Sequence, residues 1–367
     1  MKRSSAGAGS GWDDGRIAMG QERIKRGLDI RLPNLWHRQV AEEQGPGAPR
    51  THRHNGQKSW KLLGPSLLPW LLLAGLLMLN GILLPQTLNL NSIKLVTVTA
   101  LPLMLVATGE TAVILTGGID LSVAGVVSLA GVVFATGGTS SSAGAVAWVA
   151  IALAIGVVAG GTNGLLIGLL RLPPFVVTLA TWSIYGGLAL IVLPTPGGNV
   201  PVGFTSVLYG DTGGIPNVAF ALVLVVGLWL WAKRTRPFRQ IYAIGSDEAA
   251  AISAGVQPAR SLIIAYAVCG LMAAVAGIAY AAETASGDPL GGNPFLLPSV
   301  AAVVIGGTPL AGGRGGVVGT IAGAYILTYL ANVVFAFGLP SFWTPLIQGL
   351  LLVITVALGS GRARSDA

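Results

Sequence analysis

Residues 107–133 read Ala-Thr-Gly-Glu-Thr-Ala-Val-Ile-Leu-Thr-Gly-Gly-Ile-Asp-Leu-Ser-Val-Ala-Gly-Val-Val-Ser-Leu-Ala-Gly-Val-Val, and this stretch decides the fold. Two apolar runs meet at Gly117-Gly118-Ile119-Asp120-Leu121-Ser122, a flexible, polar and ionisable joint. The flanking runs read as membrane spans, where a carboxylate is costly to keep, so Asp120 is expected to have a partner or a task. It suits the N-terminus of the helix that follows, where a carboxylate meets exposed N–H groups. An ion site at a broken helix is the alternative. In the simplest threading Gly117, Gly118, Asp120 and Ser122 form a structural joint at the cytoplasmic end of a helical hairpin; a re-entrant break deeper in the bilayer stays open.

Composition supports the membrane reading. Of 367 residues, 53% are hydrophobic and only 10% charged, with mean hydropathy +0.72. Soluble domains carry about a quarter charged residues. The 53 glycines suit helices packed backbone to backbone in a bilayer. Cys269 is the only cysteine and sits in an apolar run, which excludes an intrachain disulfide and predicts a packing role. All three histidines, His37, His52 and His54, precede the first apolar run, so the membrane part has none for a metal site or proton relay.

The net charge of +8 follows membrane topology and does not mark a nucleic-acid partner. Ten candidate spans lie near 65–84, 93–116, 121–137, 145–170, 175–193, 216–232, 262–282, 295–312, 315–337 and 343–358. With the N-terminus cytoplasmic, 21 of the 22 Lys and Arg fall inside and only Lys94 outside. One missed span would flip every later loop, so the asymmetry predicts an all-α membrane protein of about ten transmembrane helices with both termini cytoplasmic. Residues 1–61 read as a basic, mostly disordered tail, 62–358 as the transmembrane domain, and 359–367 as a second cytoplasmic tail. Met19 is a plausible alternative start.

Glycines recur at four-residue spacing at Gly156, Gly160, Gly164 and Gly168, and again at Gly315, Gly319 and Gly323. Such ridges serve packing within the subunit or an interface between subunits. Leu115–Gly131 and Val304–Thr320 echo each other faintly, each a Gly-Gly joint leading into a Gly-spaced apolar helix.

Two long loops, 194–215 and 233–261, face opposite sides. In the second, Ser246 suits an N-cap, Asp247 and Glu248 a first turn, and Gly255 a stop. A two-turn helix with a small face, Ala249 and Ala250 included, suits docking in a groove of a cytoplasmic partner, and Pro237 and Pro258 stiffen its flanks. Arg314 sits in a tight glycine turn on the same side, as a positive-inside anchor or a contact to that partner.

Within the spans, Glu110 either hydrogen-bonds to Thr108 or Thr111 or lines a pathway. Asn163, Thr181, Trp182, Tyr185 and Asn332 are further candidates for lining a route, since sugars favour aromatic faces with amide and hydroxyl partners. The structural alternative is hydrogen bonding between helices.

Four motifs then occur in order: Thr116-Gly-Gly-Ile-Asp-Leu-Ser-Val123; Asn163-Gly164 with Leu172-Pro-Pro-Phe-Val-Val-Thr-Leu179; Tyr242-Ala-Ile-Gly-Ser-Asp-Glu-Ala-Ala-Ala-Ile-Ser-Ala-Gly-Val256; and Ala301-Ala-Val-Val-Ile-Gly-Gly-Thr-Pro-Leu-Ala-Gly-Gly-Arg-Gly-Gly316. Over residues 65–358 the chain resembles the permease subunits of bacterial ABC importers for monosaccharides such as ribose, xylose and galactose. The resemblance implies an inner-membrane permease paired with a second permease subunit, identical or not. It further implies a cytoplasmic ABC ATPase dimer and a periplasmic solute-binding protein. Glu248-Ala249-Ala250 through Gly255 would match the ATPase-facing loop. The chain departs from the family pattern at Tyr185-Gly186-Gly187-Leu188, Ser246-Asp247 and Leu297-Pro298-Ser299.

Three classes compete. An importer permease must borrow hydrolysis, because no Gly-Lys-Ser or Gly-Lys-Thr occurs, so ATP and Mg would be bound by the partner. An ion-coupled secondary transporter would use Glu110 and Asp120. An intramembrane enzyme has neither histidine nor paired carboxylates at catalytic spacing to work with.

Overall fold

A computed structural model describes residues 67–83, 85, 89–137 and 142–365; the tail at 1–61 and the start at Met19 lie outside the described residues. Helix α1 (Leu68–Leu83) is followed by α2 (Leu90–Ile114), which opens where the Asn89 side chain accepts the Ser92 N–H at 2.8 Å. Helices α3 (Val123–Thr136), α4 (Ser142–Leu170) and α5 (Pro174–Val192) come next. Arg171 ends α4 with φ of 53°, a left-handed turn that Pro173 and Pro174 follow. Pro174 then starts α5, where a missing N–H costs nothing.

The loop after α5 holds the short helix α6 (Val202–Tyr209) and a two-residue hairpin, β1 (Asp211–Thr212) with β2 (Ile215–Pro216). Asp211 pairs with Lys94 at 2.7 Å, which ties the hairpin to the start of α2. Helices α7 (Asn217–Ala232), α8 (Arg236–Ser246), α9 (Glu248–Ser253) and α10 (Pro258–Thr284) lead to a 3₁₀ turn at Asn293–Phe295. The chain closes with α11 (Leu296–Ile305), α12 (Val317–Ala336) and α13 (Trp343–Ser365), the last running on into the stretch read from sequence as a tail.

Helix α10 is the axis of the bundle. It packs most broadly against α4, then α2 and α3, and the first glycine ridge explains why. A Cβ on Gly164 would lie 2.5 Å from the Ile263 Cα, and one on Gly168 would lie 2.9 Å from the Ala259 Cα. Small residues let the two backbones touch, which is how helices associate where water supplies no driving force. Gly319 and Gly323 of the second ridge lie in the same way on Gly306 and Ala302 of α11. Both ridges therefore serve packing inside the subunit.

Each of the ten stretches read as spans holds a helix. Among the described residues five are long and apolar enough to cross a membrane, and a sixth counts if α7 and α8, bent by 77° at their junction, are taken together. The protein is an all-α membrane protein. Two of the shorter helices are buried in the bundle. Helix α3 has 14 residues, about 21 Å at 1.5 Å per residue, against a hydrocarbon core of roughly 30 Å. It is buried along nearly all its length. Helix α11, with 10 residues, is buried from Ser299 to Val304 between α12, α2 and α13.

Candidate functional site

The joint between α2 and α3 lies inside the protein. Gly117 is exposed, but Asp120 and Ser122 are each only 1% exposed. Helix α2 ends when Gly117 takes φ of +82°, which L-residues resist. The Gly117 N–H then reaches the Ile114 carbonyl at 2.9 Å and the Gly118 N–H the Val113 carbonyl at 3.3 Å, a Schellman closure. The backbone next crosses back toward α2, and the Asp120 N–H donates to Glu110 Oε1 at 3.0 Å.

Around this contact sits a buried polar cluster drawn from three helices and the joint. Asp120 Oδ1 accepts the Ser122 N–H at 2.9 Å and its hydroxyl at 2.6 Å; Asn163 Nδ2 of α4 donates to Ser122 Oγ at 2.7 Å. Cys269 of α10 donates its thiol to Glu110 Oε2 at 3.7 Å. Tyr266, one turn earlier on α10, brings its hydroxyl to 2.6 Å from where a Cβ on Gly118 would sit, so a side chain there would have to displace that hydroxyl. Asp120 Oδ2, Asn163 Oδ1 and the Tyr266 hydroxyl are buried without a hydrogen-bond partner among the described residues. The only ion pair among those residues is Lys94–Asp211, so no cation faces the two carboxyls.

Several expectations change in detail. Glu110 bonds to Asp120 and Cys269, whereas Thr108 and Thr111 turn their hydroxyls to the carbonyls of Met104 and Ala107. Asp120 does not cap α3 directly: Ser122 is the N-cap residue, without a side-chain cap bond, and Asp120 holds Ser122. Cys269 does more than pack. Of the residues proposed for a route, Glu110 and Asn163 join this cluster. Trp182 and Tyr185 lie elsewhere on α5, bonded to Asn293 Oδ1 at 3.4 Å and the Ala159 carbonyl at 3.1 Å. Thr181 and Asn332 bond within their own helices. Tyr266 escapes a sequence reading, and Cys269 is read there only as packing; what joins them is spacing, three apart on an apolar helix.

A second break meets the first. Helix α11 ends in the same closure, with Gly307 at φ +89°, its N–H on the Val304 carbonyl at 2.9 Å and the Thr308 N–H on Val303 at 3.1 Å. The turn that follows swings back so that the Gly313 N–H donates to the Leu115 carbonyl at 3.0 Å. The sequence echo thus corresponds to two helix ends built alike and placed in contact.

The loop after α7 docks at this meeting point. It holds two helices where sequence suggests one. Helix α8 escapes notice among its arginines, although Phe238, Ile241 and Ile244 form a buried stripe at helical spacing and Pro237 marks its first turn. Ser246 ends α8, and the N-cap of α9 is Asp247, whose side chain accepts the Ala250 N–H at 2.9 Å. Gly255, at φ +83°, stops the helix. Helix α9 buries only Ala251; Asp247, Glu248, Ala249, Ala250 and Gly255 are exposed, as is Arg314 in the adjoining turn. Among the described residues no group of three His, Cys, Asp or Glu could hold a metal ion.

Comparison with known proteins gives this arrangement a context. The chain is 34% identical to the ribose import permease protein of Escherichia coli over 82% of its own length and 94% of that protein. It is 37% identical to the ribose import permease protein of Bacillus subtilis, covering 81% and 92%. An autoinducer 2 import system permease protein of Yersinia pseudotuberculosis is 34% identical, covering 82% and 85%. No match was found among solved structures. The family described as the branched-chain amino acid transport system / permease component matches residues 92–356, and the chain, with its half-length buried helices and paired breaks, belongs to that family of transporter permeases.

Proposed function

We infer that the chain is the membrane-spanning permease subunit of an ATP-binding-cassette importer for a monosaccharide or similar small polar solute. The observation that carries this is α9: a short helix, capped by Asp247 and stopped by Gly255, that presents an exposed face directly after Gly245 and Ser246, the end of α8 packed on the meeting point of two helix breaks. A soluble partner that grips it has direct access to the breaks. The partners follow: a second permease subunit, a cytoplasmic ATPase dimer that binds ATP and Mg, and a periplasmic protein that delivers the solute. Asp247, Glu248, Ala249, Ala250, Gly255 and Arg314 form the ATPase-facing surface. Ten helical elements with both ends cytoplasmic fit the 21-to-1 charge placement.

The solute is a sugar-like molecule by the names of the relatives, although the family description speaks of branched-chain amino acids. Glu110, Asn163, Thr181, Trp182, Tyr185 and Asn332 are its candidate contacts, with Trp182 beside Asn293 the better placed because both are accessible. The ion-coupled alternative is disfavoured: Glu110 and Asp120 are 0% and 1% exposed, and Glu110 Oε1 and Asp120 Oδ1 hold the joint.

The test is hydrolysis and uptake by the reconstituted complex. Ribose delivered on its binding protein is expected to stimulate ATP hydrolysis, while an uncoupler leaves uptake intact. Uptake that needs no ATPase would sink the proposal. Glu248→Lys is expected to weaken assembly with the ATPase; unchanged assembly and uptake would remove α9 from that role.

A further inference from the structure

Against both the end of α8 and the joint lies a segment from a distant part of the chain, the turn Gly312–Gly316. Ser246, at the junction of α8 and α9, shares its hydroxyl proton between the Tyr242 carbonyl at 2.9 Å and the Gly313 carbonyl at 3.3 Å, and the Tyr242 hydroxyl donates to the Gly315 carbonyl at 3.1 Å. On its other side the same turn gives the Gly313 N–H to the Leu115 carbonyl. A Cβ on Gly245 would come within 2.6 Å of the Gly313 nitrogen, and one on Gly312 within 2.8 Å of the Gly117 nitrogen. Three backbone segments are therefore stacked without room for a side chain.

We propose that this turn relays movement of α9 to the α2–α3 break, and that Ser246 and Tyr242 are the positioning residues that engage it. The inference rests on the reading of α9 as the ATPase-facing helix. Three features make the turn a relay. Gly312, Gly313 and Gly315 have φ of +82°, +72° and +123°, so the turn holds a shape other residues resist and moves as a unit. It receives hydrogen bonds from α8 and gives one to Leu115, so displacement on one face reaches the other. Leu115 immediately precedes the break, whose far side is held by Glu110 through Asp120. Within the turn, Arg314 is exposed beside Gly313, which meets Ser246 just ahead of α9, so one docked partner would reach both α9 and the turn.

The experiment uses the full complex in proteoliposomes, with uptake and ATP hydrolysis measured together. The double variant Ser246→Ala/Tyr242→Phe is expected to assemble and to hydrolyse ATP at the basal rate. Solute moved per ATP should fall about ten-fold, the scale set by losing two modest hydrogen bonds, and Ser246→Thr with Tyr242 retained should restore most of it. A purely structural role would lower the yield of complex and leave that ratio alone. An unchanged ratio in an assembled complex overturns the proposal. Where the double variant fails to assemble, Tyr242→Phe alone is read in the same way. Glu248→Lys separates the two levels: weakened assembly there, with an unchanged ratio in the double variant, removes the relay and leaves the ATPase-facing reading standing.

Discussion

The two helix breaks end their first helices alike and are held by opposite means. At 115–122 the chain is fixed by side chains: Glu110 takes the Asp120 N–H, Asp120 takes Ser122, and Asn163 reaches in from α4. At 306–316 the chain is fixed by backbone shape, with four glycines at positive φ and Thr308 Oγ1 accepting the Gly316 N–H at 3.3 Å. The difference teaches where each is vulnerable. The first should fail when an acceptor is removed and tolerate an isostere. The second should fail when a methyl group is added.

The largest effect is expected at their contact. Gly312 and Gly117 share φ of +82°, but a Cβ on Gly312 meets the Gly117 nitrogen and Leu115 oxygen at 2.8 Å, whereas one on Gly117 finds nothing nearer than 3.6 Å. Gly312→Ala should therefore abolish the folded permease in detergent. Gly117→Ala should cost only the backbone strain, about 1 kcal/mol, read as a small drop in Tm. Equal losses would show that the contact between the breaks contributes nothing.

Next comes Glu110. Glu110→Ala leaves the buried Asp120 N–H without an acceptor and should cost about 1–3 kcal/mol, while Glu110→Gln keeps the acceptor and should retain most of the stability. Should Gln prove as damaging as Ala, the carboxylate would matter for more than accepting that bond. A smaller effect is expected at the second break, where Thr308→Val removes one buried acceptor of a long 3.3 Å bond, about 1 kcal/mol. The smallest is a control on α4. Gly160 is packed on the Tyr266 backbone, but a Cβ on Gly161 meets nothing within 4 Å, so Gly161→Ala should be neutral or slightly stabilising by thermal melt.

The site was partly legible. Motif order found the joint, α9 and the glycine turn, because each depends on residues whose chemistry is local: glycine for positive φ, aspartate for a cap. The cap itself was read one residue early, since Ser246 and Asp247 both cap well and only the path of α8 chooses between them. Helix α8 was hidden because four of its eleven residues are polar or charged side chains of a kind common in loops, while its apolar stripe is a single line. Glu110 was recognised as expensive, yet its partner lies ten residues on, across a chain reversal that no helical spacing describes.

By itself, the sequence determined that this is a membrane protein of many apolar helices, where those helices lie, and which family it joins. These follow from hydropathy and from short motifs, both of which act over a few residues. Only the tertiary structure decided that Asp120 and Ser122 of the joint are buried, that α3 and α11 are too short to cross unaided, and that both glycine ridges face inward. It also placed Cys269 against Glu110 and Gly313 against Leu115. Such contacts depend on which backbones approach closely enough to exclude a Cβ, a property of helix pairs that no single stretch of chain carries.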